Sequence, residues 1–92
     1  MPLMATADPG HHHFASDVVH FYMDDGDLHI RCGISRLALK VLEPELPPTK
    51  EGRIQAFQRH RRRIERAASA KFDRRQLEPD GSTILVRAAD LV

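Results

Sequence analysis

Ninety-two residues, 41% hydrophobic and 29% charged with 5% aromatic and no tryptophan, make one small domain with an economical core, because a chain this short buries only about 60–65% of its unfolded surface. The formal net charge of +1 hides a split: residues 1–49 carry three basic and seven acidic side chains, residues 50–92 eleven and six, −4 against +5, a polarity that can steer an anionic partner or a second copy. A lone cysteine, Cys32, excludes an internal disulfide, and the absence of an apolar run of signal-peptide or membrane-span length makes a cytoplasmic location the expectation.

The opening MPLMATADPGHHH mixes proline, glycine and small residues without periodicity, so residues 1–13 are expected to be mobile and the single folded domain to span 14–92. His11, His12 and His13 are adjacent and suit at most weak metal binding. VVHFYMDDGDLHIRCGI, residues 18–34, reads as a hairpin around Asp25-Gly26, a pair favoured in two-residue type I′ turns. Residue i then faces residue 51 − i: Met23 meets Leu28, Phe21 meets Ile30 and Val19 meets Cys32, an all-apolar face. Val18, His20, Tyr22, His29, Arg31 and Gly33 share the other face, with His20 opposite Arg31 and Tyr22 opposite His29. A one-residue slip would mix the two sets, so a sheet covered on one side and open on the other is expected.

Ser35 suits an N-cap, with Ile34 and Leu39 placed as a hydrophobic staple. Leu37, Ala38, Val41 and Leu42 recur at helical spacing. The prolines of EPELPPT, residues 43–49, end that helix. Thr49 can cap a long second helix from Lys50 to Phe72, with Glu51 near its positive end and Gly52 weakening the first turn. Ile54, Phe57, Ile64, Ala68 and Phe72 form its apolar stripe. EPDG is a turn, and STILVR a last strand with Ile84 and Val86 on one face. The expected fold is a two-layer α+β domain: a small antiparallel sheet, made of the N-terminal hairpin and the C-terminal strand, with two helices packed on one face.

Taken in order, Val19-His20-Phe21, the Asp25-Gly26 turn, Cys32-x-Ile34-Ser35-x-x-Ala38-Leu39, Phe57-x-x-His60-Arg61-x-x-Ile64-Glu65-x-x-Ala68-x-x-Lys71 and Asp80-Gly81 resemble a family of small bacterial proteins catalogued as domain of unknown function 1488, over residues 14–91. The resemblance implies a compact α+β fold and no known activity, so function has to be argued from the residues.

On a helical wheel Arg59, Arg62, Arg63 and Arg66 lie opposite the apolar stripe, and Arg74 and Arg75 follow near the helix end. A fixed row of cations is what phosphate contact requires. The chain nevertheless has no RNA-recognition, helix-turn-helix or zinc-finger pattern and few aromatics, and Glu65 and Asp73 interrupt the charge. Arg61 lies beside the stripe, its stem placed to cover apolar surface while its head reaches an acid. His60 flanks the other side, and the pair reads as a polar contact between helix and sheet.

His20, Tyr22, His29 and Arg31 on the open hairpin face supply only two ligands toward a zinc site, but they have the composition of a protein contact surface. Cys32 reads as a small buried hydrophobe that only His60 could activate. Asp24, Asp25 and Asp27 serve the turn, because the spacing of a calcium loop is missing. The expectation is therefore a non-enzymatic domain, with no catalytic residue, cofactor, metal or membrane contact. It acts through a protein partner or its own copy, for which exposed strand edges offer a route. The alternative is an accessory nucleic-acid binder using Arg59, Arg62, Arg63 and Arg66.

Overall fold

The computed structural model describes residues 4, 5, 10–13, 17–26 and 28–91. Its elements are β1 (Met4–Ala5), β2 (His11–His13), β3 (Val18–Asp25), β4 (Leu28–Ser35), α1 (Arg36–Leu42), α2 (Lys50–Arg59), α3 (Arg61–Asp73), β5 (Ile84–Val86) and a 3-10 turn at Ala88–Leu91. β4 lies between β3 and β5, while β1 and β2 both line the outer edge of β3. The α+β, two-layer expectation holds, with differences that each have a physical reason.

The hairpin pairs Val19 with Ile34, Phe21 with Cys32, Met23 with Ile30 and Asp25 with Leu28. Asp25 is thus the last residue of its strand and Gly26, at φ +62, opens the turn; Asp27 lies outside the described residues. Every β4 partner shifts by two relative to the expected register. A two-residue shift leaves each side chain on its expected face, since the strand period is two, and it adds the Val19–Ile34 pair to the apolar side.

β5 runs parallel to β4, with Cys32 beside Ile84 and Ile34 beside Val86, so the sheet is mixed rather than wholly antiparallel. The helices form the crossover between these strands, which is the connection that parallel neighbours require.

The N-terminal segment expected to be mobile contributes two strands: Met4 pairs with Asp24 and Ala5 with Met23, and His11–His13 pair with His20, Val19 and Val18. Gly10 makes this seat possible. It is buried at φ +93, and a Cβ there would lie 2.9 Å from the Phe57 ring, so only glycine allows the backbone this close.

The expected caps form: the Ser35 hydroxyl accepts from the Ala38 amide at 3.2 Å and Thr49 from the Gly52 amide at 3.0 Å. Gly52 does more than weaken its turn. A Cβ there would stand 2.5 Å from Pro47 Cβ, so the glycine lets the proline connector fold against α2. The single long helix is broken at His60, whose φ −110 and ψ 17 leave the helical range. The His60 amide is shared between the carbonyls of Ala56 and Phe57, both at 3.2 Å. The break offsets the stripe: Phe57, Ile64 and Ala68 are fully buried, while Ile54 and Phe72 are half-buried. α3 closes on Arg75 in the left-handed region, with the Gln76 amide on the Lys71 carbonyl and the Arg75 amide on that of Phe72.

The core lies between sheet and helices and joins Val19, Phe21, Met23, Cys32 and Ile34 to Leu39, Phe57, Ile64 and Ile84. Phe21 and Phe57 pack with centroids 4.8 Å apart. On α1 only Ala38 and Leu39 are buried, and Leu37 and Val41 face outward at 60% and 42% exposure.

Candidate functional site

The helices cover one face of the sheet and leave the other open. On the open face Tyr22 is 41% exposed and sits opposite Arg31, and Asp24 sits opposite His29. The expected pairs, His20 with Arg31 and Tyr22 with His29, are therefore replaced, although all four residues keep their common face. The new register puts His29 Nδ1 2.7 Å from Asp24 Oδ1. Met4, 63% exposed, joins the same face through its pairing with Asp24. His20 pairs with Gly33, where a Cβ would meet Val18 Cγ1 at 2.8 Å. The glycine therefore deepens this end of the face into a depression of ≈ 370 Å³, walled by Val18, His20, Arg31, Leu85 and the 78–83 loop.

That loop supplies a fixed anion. Asp80 accepts the Thr83 hydroxyl at 2.5 Å and the Ser82 and Thr83 amides at 2.8 Å. The Thr83 hydroxyl and then these amides bring its carboxyl down to about 2, so it is ionised throughout the neutral range. Glu78 is held bidentately by Arg87 at 2.8 and 2.9 Å. The depression thus carries Arg31 and His20 on one side and two carboxylates on the other.

The arginine surface divides. Arg59 binds Glu43 bidentately, both contacts 2.6 Å, and His60 Nε2 lies 3.2 Å from the same carboxylate. Hydrogen bonds from Arg59 hold Glu43 below the usual carboxylate range. His60 therefore contacts the proline connector rather than the sheet. Arg61 lies 5.2 Å over the Phe57 ring and binds Glu65 at 3.0 Å, so its stem covers apolar surface and its head meets an acid within its own helix. Arg63 donates to the Leu91 carbonyl at 2.9 Å. Arg62 and Arg66 are exposed and have no ion pair among the described residues. Together these residues line an open cleft of ≈ 700 Å³ at the α2–α3 break.

Cys32 and His60 do not meet. The buried thiol donates to the Ile30 carbonyl at 3.6 Å, and burial, aided by the Glu65 carboxylate, pushes it up to about 12, the reverse of an activated nucleophile. Among the described residues no group of three or more His, Cys, Asp or Glu side chains is placed to hold a metal ion. No described helix is long and apolar enough to cross a membrane.

Lys71, 8% exposed, was visible in the motif order but carried no assigned role. Its ammonium donates to the Leu85 carbonyl and to Asp90, both at 2.9 Å, and so fastens α3 to β5 and the 3-10 turn. Glu43 gave no sequence signal as an anchor, because its partners lie 16 and 17 residues away.

The sequence matches, over residues 8–85, the family described as "Protein of unknown function (DUF1488)". A crystal structure of a protein of unknown function from the same family, from Shewanella loihica PV-4, superposes with a TM-score of 0.83 at 21% identity, covering 92% of this chain and 91% of that one. No curated protein matches the chain.

Proposed function

This chain belongs to the DUF1488 family, and from that premise we propose that it is a non-catalytic, cytoplasmic interaction domain whose open sheet face seats a second copy of the chain. The observation that carries this reading is an exposed tyrosine, Tyr22, paired with an exposed arginine, Arg31, on a sheet face that no helix covers. Tyrosine and arginine are enriched where proteins meet.

Charge supports a self-complementary contact. Arg31 and the Asp80 carboxylate border one depression, so a two-fold axis through the face sets cation against anion twice. The contact is by face, not by edge. β5 has three residues and its Leu85 carbonyl is held by Lys71, while the opposite edge consists of strands of two and three residues. Short and blocked edges resist strand addition, so the edge pairing expected from the sequence gives way to face contact.

Sedimentation velocity from micromolar to near-millimolar protein tests the reading. A dimer that dissociates on Tyr22→Asp or Arg31→Glu, with the melting temperature retained, supports it. A monomer throughout, or a dimer indifferent to both substitutions, overturns it.

A further inference from the structure

We propose that the cleft at the α2–α3 break binds the phosphodiester backbone of a nucleic-acid duplex, through Arg62, Arg63 and Arg66. This surface lies on the helical layer and uses none of the open-face residues, so it stands independently of the dimer reading.

Arg59 is matched by Glu43 and Arg61 by Glu65, so neither offers net charge to a ligand. Arg63 is held by a carbonyl, Leu91 O, a contact that fixes the side chain without cancelling its charge. Arg62 and Arg66, one helical turn apart and exposed, have no carboxylate partner among the described residues. Three guanidinium groups with no carboxylate partner among the described residues therefore border one open cleft.

Their position is electrostatically costly. The first turn of α3 contains no acidic residue and is Arg61-Arg62-Arg63, so cations crowd the end of the helix where the backbone dipole already favours anions. A merely solvated face gains nothing from that placement, whereas a phosphate relieves it.

Aromatic placement selects the form of the nucleic acid. Single strands are held by bases stacked on exposed rings. Phe57 is fully buried beneath Arg61, and Tyr22 is on the other side of the sheet, so among the described residues no phenylalanine or tyrosine offers the cleft a stacking platform, and His60 is engaged with Glu43. What remains is contact with phosphates, which position a duplex without reading its sequence.

The test is fluorescence anisotropy of a labelled duplex DNA and a single strand of the same length, titrated with the protein across a salt series. Two to three neutralised phosphates predict a slope of log K on log salt of about −2 to −3. The double variant Arg62→Glu, Arg66→Glu is expected to weaken duplex binding by at least about tenfold and to flatten the slope by about 2 units. Arg74→Glu, Arg75→Glu makes the same charge change at the far end of α3 and is expected to retain most of the affinity. Circular dichroism melts establish that each variant is folded. No binding at low salt, an equal loss in both double variants, or a single strand bound more tightly than the duplex would each overturn the proposal.

Discussion

Replacing Gly10 by alanine tests whether the N-terminal strands belong to the fold. The residue has φ +93, and its added Cβ would lie 2.9 and 3.0 Å from Cδ2 and Cε2 of Phe57 and 3.4 Å from Val19 Cγ1. Phe57 cannot retreat easily, since it is fully buried and packed on Phe21 at 4.8 Å. Holding alanine at positive φ costs about 1–2 kcal/mol, and forcing a methyl into a filled core adds about 1–3 kcal/mol. The expected loss is about 2–5 kcal/mol, or roughly 8–40 °C in Tm at 4–8 °C per kcal/mol for a domain of this size.

Gly81→Ala is the matched control, because its φ is +77 and nothing lies within 4 Å of the added Cβ. It should lose only the backbone contribution of about 1–2 kcal/mol. Urea unfolding of both variants gives the difference directly. A reduced m value in Gly10→Ala would mean that the segment has peeled away from the sheet to escape the clash, which still requires that it was seated. A Gly10→Ala loss no larger than that of Gly81→Ala would refute the packing of this segment on Phe57.

Lys71→Met is expected to cost about 1–3 kcal/mol by removing the ammonium that donates to the half-buried Leu85 carbonyl. It should also alter the acid limb of stability. Burial alone would raise the Asp90 carboxyl, but the Arg87 amide and the Lys71 ammonium outweigh it and hold the group below its usual value. Its contribution is therefore complete above about pH 4, the unfolded value, and fades as pH falls through the lower folded one. Urea midpoints between neutral pH and pH 3 should fall less steeply in the variant, and parallel slopes would remove Lys71 from that linkage. For Cys32, labelling by a thiol reagent in the folded state should be slow and should accelerate in step with unfolding as urea is added. Rapid labelling without denaturant would contradict the closed core around this thiol.

Much of the fold is legible in the residues because alternation and capping are local. The β3 and β4 faces, the Ser35 and Thr49 caps and the crossover order all follow from neighbours a few positions apart. The register is less well specified. Faces survive a shift of two, so the apolar pattern alone cannot distinguish Asp25-Gly26 from a turn one residue later. The break at His60 has no proline or glycine to announce it, and tertiary packing sets it. β1 and β2 escape notice because their stability comes from the edge of β3 and from the room left by Gly10, not from strand propensity. The open-face residues were identifiable as a set, but their pairing and the Gly33 depression depend on register and on the returning 78–83 loop.

The charge split is a further case of a legible feature with an illegible destination. Read along the chain, an acidic first half and a basic second half suggest a molecule-wide dipole. In the fold, pairs across that division join Asp17 to Arg53 and Glu43 to Arg59 and His60, and further pairs within each half engage Arg36 with Asp17, Lys71 with Asp90 and Arg87 with Glu78. Such pairs bring connectors and strand ends to the helices, so their charge holds the fold together and is not available to a partner. Arg62, Arg63 and Arg66 are left with no carboxylate partner among the described residues, clustered at a helix start whose first turn carries no acid. A run of arginines is therefore a poor guide to a binding surface until its internal partners have been subtracted. In RHRRRIER that subtraction removes Arg59, His60 and Arg61, and it leaves a smaller group whose charge no acidic side chain among the described residues neutralises.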